Sequence, residues 1–224
     1  METGPALKAT DFPEARQATA KRRIEPPYID KAARFDATRA YRFWLYRKWG
    51  DGPTAMFVML NPSTADENVL DPTIRRCVGF AQREGCGGVY VTNLYAFRAT
   101  KPSVLFEQPF PASPRREQLR NEATIIRLAK TCSPVIVAWG NHGHVKGPGI
   151  YFKLVEAGIA PMCLGETSQG DPKHPLYLKG DTPLQPHVID ETGAYSSLPR
   201  SGHSRQHAGV IAVLRDKELW ADDD

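Results

Sequence analysis

Asn61, Asn93 and His174 are the residues in this chain best placed to do chemistry, joined by Ser63 and Asp66 just after the first of them. Asn61 closes the apolar run Met56-Phe57-Val58-Met59-Leu60. Asn93 closes Val89-Tyr90-Val91-Thr92, and His174 lies beyond a further apolar stretch at 160–164. A carboxamide offers a donor and an acceptor, and an imidazole offers either. Two carboxamides, a histidine, a hydroxyl and a carboxylate suit a ligand with mixed donors and acceptors, such as a nucleobase. They suit a metal or a Ser-His-Asp nucleophile less well.

The elements that must position these residues are legible as apolar runs broken by polar loops. The run at 56–60 has no polar alternation, which predicts a strand buried on both faces. Pro62 lacks the N–H a ladder needs and ends that strand. Asp71 predicts a helix cap, Pro72 suits the first helical position, and Ile74, Val78 and Ala81 share one face of a helix over 72–84. Strands follow at 89–92, 134–139 and 160–164, with helices at 114–130 and 150–157 between them. Leu119, Ala123, Ile126 and Ala129 are the expected buried stripe of the second helix. Residues 41–49 alternate aromatic and basic side chains, which predicts an edge strand turning into the strand at 56 through Gly50-Asp51-Gly52-Pro53.

Strands alternating with helices predict a three-layer α/β/α fold around a four-stranded, mainly parallel sheet, plus the N-terminal edge strand. All carboxyl ends of a parallel sheet lie on one edge, so Asn61, Asn93, the loop after Trp139-Gly140 and His174 are expected to meet at one crevice. The expected organisation is an N-terminal arm at 1–36, one α/β domain at 37–186 and a C-terminal extension at 187–224. Residues 101–114 hold several prolines and read as a surface loop.

The chain has 224 residues, 41% hydrophobic and 24% charged, the composition of an ordinary single-domain protein. No stretch approaches the roughly 18 apolar residues of a membrane span, and residues 1–23 lack a signal-peptide core, so a cytoplasmic location is expected. Cys77, Cys86, Cys132 and Cys163 include no closely spaced pair, which predicts free thiols. His142 and His144 lack the spacing of a structural zinc site with His174 or Cys163, and no metal or cofactor is expected. A net charge of +4 permits a nucleic-acid partner without requiring one. Lys21-Arg22-Arg23 reads as a solvated charge run.

These motifs together resemble the uracil/thymine-DNA glycosylase superfamily, and among its relatives the bacterial and phage family known as domain of unknown function 1643. The resemblance covers about 55–177. Leu60-Asn61-Pro62-Ser63 is similar to the first glycosylase motif, whose Asn positions the attacking water. The segment from Val89 through Asn93 to Arg98 is similar to the strand whose Asn reads the base edge. Trp139-Gly140 is similar to the end of the third strand, and His174-Pro175-Leu176-Tyr177 to the final motif, whose His contacts the base. The resemblance implies a uracil-DNA glycosylase-like fold and catalytic roles for Asn61 and His174; Asp66, five residues beyond Asn61, is the other candidate for the water contact. It implies base-binding roles for Asn93, Ser63 and Tyr95 and a DNA contact for Leu176; Arg75, Arg76 and Lys173 are the basic residues expected to hold phosphates of the DNA. The second proline and the serine of the last motif are absent here, as is the cysteine spacing of an iron–sulfur cluster.

Three functions are therefore in view. The first is a DNA glycosylase-like enzyme that binds a flipped base and hydrolyses its N-glycosidic bond. The second is a base-binding protein of the same fold without that chemistry, acting on modified bases. The third is a nucleoside or nucleotide enzyme that never touches duplex DNA.

Overall fold

The computed structural model describes residues 26–69, 71–100, 105 and 115–189. The charge run at 21–23, most of the loop at 101–114 and the extension beyond 189 lie outside the described residues. Among the described residues the protein is a mixed α/β structure with a seven-stranded open sheet and three α-helices. In chain order these are β1 (Asp30–Phe35), β2 (Arg42–Lys48), β3 (Thr54–Met59), α1 (Pro72–Arg83), β4 (Gly88–Asn93), α2 (Arg115–Ala129), β5 (Val135–Val137), α3 (Gly147–Glu156), β6 (Met162–Cys163) and β7 (Gln185–Pro186). The sheet order is β1-β2-β4-β3-β5-β6-β7.

The expected four strands form the parallel centre, β4-β3-β5-β6. The four-stranded sheet is nevertheless a seven-stranded one. β2 and β1 extend it antiparallel on one side, and β7 pairs antiparallel with β6 on the other. β1 falls inside the segment read as an arm, and β2 is internal rather than an edge. β2 also pairs with β4, not with β3 that follows it. The turn after β2 crosses β4 closely instead: the Trp49 amide donates to the Gly87 carbonyl at 2.9 Å, and the Gly87 amide to Pro53 at 3.0 Å. A Cβ on residue 87 would sit 2.5 Å from the Asp51 carbonyl oxygen, so the crossing needs glycine there.

β3 is covered on both faces, as its unbroken apolar run requires. Met56, Val58 and Leu60 pack with Ile125 and Leu128 of α2 and Ile150 and Leu154 of α3. Ala55, Phe57 and Met59 pack on the other face with Ile74, Cys77, Val78 and Phe80 of α1. Burying each side chain of that size contributes about 1.5–3 kcal/mol before conformational entropy is subtracted. α1 begins as expected: the Asp71 carboxylate accepts from the Ile74 amide at 2.9 Å with Pro72 at the first turn.

α2 sits in a different rotational phase from the one its apolar pattern suggested. Its buried residues are Asn121, Ile125, Leu128 and Ala129, while Leu119 is 55% exposed. The phase follows a polar contact: the Asn121 carboxamide donates to the Asn93 carbonyl at 2.8 Å and to the Leu94 carbonyl at 3.3 Å. Gln118 Nε2 also donates to the Leu94 carbonyl at 3.3 Å, so this face of α2 brings donors to the buried strand end.

All four cysteines are free, with Cys77, Cys86 and Cys163 buried. Among the described residues no helix is long and apolar enough to cross a membrane.

Candidate functional site

The chain leaves β3 through α1 toward β4, and leaves β5 through α3 toward β6, in the opposite direction across the sheet. Adjacent parallel strands with diverging connections open a crevice at their carboxyl ends. A cavity of about 820 Å³ lies there, within the range of small-molecule sites. Met59, Leu60, Asn61 and Ser63 line it from the end of β3; Asp71, Thr73 and Ile74 from the start of α1; Trp139, Gly140 and His142 from the end of β5; and Thr167, Lys173, His174, Leu176 and Tyr177 from the segment after β6. Arg42 of β2 completes the wall.

Asn61 is oriented by its own amide. Nδ2 donates to the Ala99 carbonyl at 2.7 Å and to the Pro62 carbonyl at 3.1 Å, which leaves Oδ1 as the atom that can accept from a ligand or water. His174 is oriented in the complementary sense. Its Nδ1 accepts from the Leu176 amide at 3.4 Å, so the neutral ring carries its proton on Nε2 and is a donor there. Burial lowers the His174 pKa, opposed by the nearby Asp71 carboxylate, and the ring is neutral at pH 7. The two loops lie together, since the Gly140 amide donates to the Pro172 carbonyl at 2.8 Å and Cβ of His174 lies 3.8 Å from where a Cβ on residue 140 would be.

Arg42 reaches the cavity through a register shift. Arg34 pairs with Trp44 and Phe35 with Arg42, so Phe43 is an extra residue in β2. Such a bulge re-aims a side chain to the opposite face. The guanidinium is 1% exposed, donates to the Ala65 carbonyl at 2.7 Å and keeps its buried Nε without a partner. Burial pulls its pKa down to about 10, opposed by Asp71; it stays charged. Arg47 donates to the Asp66 carbonyl at 2.5 Å, and Arg98 to the Ser63 and Thr64 carbonyls at 3.3 and 3.2 Å. Three arginines thus clamp the loop that follows Asn61 by its backbone.

Several residues expected at the crevice lie elsewhere. Asn93 is fully buried and does not line the cavity, although its register partner Met59 does. Both polar atoms of its carboxamide lack a protein partner. Asp66 turns away: Oδ1 accepts from the Asn68 and Val69 amides, each at 2.8 Å, and those two bonds hold its pKa below the usual value. Tyr95 is buried under Lys146, whose ammonium lies 4.5 Å from the ring centroid. Arg76 is a brace, donating to the Pro175 and Leu178 carbonyls and so holding the His174 segment against α1. Arg75 is exposed on α1. Ser63, Lys173 and Leu176 line the cavity as expected. His142 and His144 do not gather with His174 or Cys163 into a ligand set among the described residues.

Asp71, Arg42 and Trp139 are cavity residues that sequence patterns did not single out as such. Asp71 and Trp139 were legible only as a cap and a strand end, and nothing local marks the register shift that turns Arg42 inward.

Fold and site together define an open-sheet α/β protein with an oriented polar crevice at its strand switch point. The chain belongs to the family described as Protein of unknown function (DUF1643), whose model matches residues 42–176. The matched segment starts at Arg42 and includes Asn61, Asp71, Trp139 and His174. No curated protein and no solved structure matches the chain.

Proposed function

We propose that the crevice binds a nucleobase and hydrolyses its N-glycosidic bond, in the manner of the uracil/thymine-DNA glycosylases that the strand-end motifs resemble. The observation that carries this reading is the pairing of a fixed acceptor, Oδ1 of Asn61, with a fixed donor, Nε2–H of His174, on one cavity. Asn61 would orient a water toward C1′. As the C1′–N bond breaks, its electron pair moves onto the base, and His174 donates to the base oxygen where that charge develops. A carboxamide cannot take the water's proton. Asp71, a cavity carboxylate, takes that role in place of Asp66. Recognition of the base edge falls to Ser63, Thr73 and His174 rather than to the enclosed Asn93. A base in duplex DNA must first be extruded, with Lys173 on the cavity wall to meet a phosphate and the 85% exposed Tyr177 to stack on a base.

The test is base release. Oligonucleotides carrying uracil, mismatched thymine, hypoxanthine or 5-hydroxymethyluracil are incubated with the protein, then treated with alkali to cleave abasic sites. Cleavage that disappears in Asn61→Ala while DNA binding persists supports the reading; no cleavage on any of them overturns it.

A second reading is favoured by Arg42. A buried guanidinium that lines the cavity and keeps one donor without a protein partner suits an anionic group, as in a free nucleotide. This reading expects nucleoside monophosphates to bind and Arg42→Met to abolish that binding, measured by calorimetry. DNA affinity would then be weak at every salt concentration, whereas phosphate-driven DNA binding falls steeply with salt.

A further inference from the structure

A second cluster lies beside the cavity wall, at the β6–β7 edge of the sheet. β6 and β7 pair through Met162↔Pro186 and Cys163↔Gln185, which sets His187 next to the carboxyl end of β6. Gly165, at φ 101°, turns the chain so that Glu166 folds back toward the same place. A thiol sulfur of Cys163, a carboxylate oxygen of Glu166 and an imidazole nitrogen of His187 all lie within 4.8 Å of one another. Cys163 and His187 are buried and Glu166 is half-buried. Nδ1 of His187 is 3.0 Å from Oε1 of Glu166. The fully buried carboxylate of Asp171 also acts electrostatically on His187.

A buried histidine needs one carboxylate to hold its ring. Here a thiol is gathered with that carboxylate around the same imidazole. Sulfur, nitrogen and oxygen donors from three residues form the ligand set of a tetrahedral zinc ion with one position left over. Bond lengths of about 2.0–2.3 Å place such donors roughly 3.3–3.8 Å apart, within reach of small side-chain rotations from the observed arrangement. We infer that Cys163, Glu166 and His187 hold a divalent transition-metal ion, with zinc the best match to the donors.

The position gives the ion a structural task. The Lys173 amide donates to the Gly165 carbonyl at 2.9 Å, the Thr167 amide to Asp171 at 2.8 Å, and Glu166 bridges to Pro172. The ion would anchor one end of the loop whose other end carries Lys173 and His174 into the cavity. It would also tie that loop to Trp139, whose indole stands edge-on to His187 with ring centroids 6.1 Å apart.

The experiment uses the full chain, stripped with a chelator and titrated with Zn²⁺ against a chromophoric competitor, and separately with Co²⁺. The expected result is about one zinc per chain and a thiolate-to-cobalt charge-transfer band. Zinc at about a hundred times Kd should raise Tm by on the order of 5–10 °C. Cys163→Ser should lose the band, and Glu166→Gln should weaken zinc binding at least about tenfold. Glu166→Gln keeps an acceptor for His187, so its metal-free Tm should match that of the metal-free parent and exclude misfolding as the cause. Failure to bind zinc stoichiometrically, or equal binding by both variants, overturns the proposal. Neither result depends on any activity of the cavity.

Discussion

Asn61 donates its carboxamide hydrogen to the Ala99 carbonyl at 2.7 Å, joining two loops 38 positions apart in the chain. The bond decides which amide atom the cavity meets. Asn61→Asp removes the donor and sets a carboxylate against a carbonyl, a loss of about 1–3 kcal/mol. That corresponds to a Tm drop of roughly 2–10 °C, measurable by calorimetry. Asn61→Ala should reduce base release by about a hundredfold or more while DNA affinity changes little. Equal loss of binding and release would remove Asn61 from the water-positioning role.

Under the proposed function, His174 is expected to set the acid limit of base release. Its pKa is lowered by burial, so the folded site resists a proton that the unfolded chain accepts near pH 6.5. Stability from keeping the ring neutral is therefore complete above that pH and declines as pH falls through and below it. The acid limb of base release should have its midpoint below about 6.5, and an NMR titration of the imidazole should give the same midpoint. A midpoint above the ordinary value would contradict the buried, neutral donor.

Asp71 both caps α1 and acts on His174, and two substitutions separate those tasks. Asparagine caps as well as aspartate, so Asp71→Asn should lower Tm only by the support its charge gives the buried Arg42, while Asp71→Ala should cost about 1 kcal/mol more for the lost cap. Asp71 favours the imidazolium form of His174, so Asp71→Asn should lower the His174 pKa further in the NMR titration. If the carboxylate also takes the water's proton, the same variant should slow base release by about 10²–10⁴-fold. An unchanged rate would leave Asp71 as a cap alone.

Two glycines of α3 should respond to alanine in opposite directions. A Cβ on residue 147 would lie 2.5 Å from Cε2 of Trp139, whereas one on residue 149 meets nothing within 4 Å. Gly149→Ala should stabilise the helix by up to about 1 kcal/mol. Gly147→Ala gains less than that from propensity and must displace the indole, with overpacking of about 1–3 kcal/mol dominating. Thermal melts read both, and indole fluorescence should shift in Gly147→Ala alone.

The local code of the chain was enough for the central elements. The apolar run to Leu60, its stop at Pro62, the Asp71-Pro72 helix start and the apolar segments at 89–92 and 134–139 each record a nearest-neighbour preference, and each appears in the structure close to its expected bounds. Parallel order then sufficed to bring Asn61, the loop after Trp139 and His174 to one crevice, because strand ends share an edge. What patterns could not carry were the features set by partners distant in sequence. β7 has two residues, too few for any period to register. The phase of α2 answers to two strand-end carbonyls rather than to its own apolar stripe. Arg42 faces inward because one extra residue in β2 reverses the alternation. Asn93 is enclosed and Asp66 is turned into its own loop by backbone amides nearby. Periodicity reports which face a residue prefers. Which polar group is exposed to a cavity depends on hydrogen bonds and registers that exist only once the sheet has assembled.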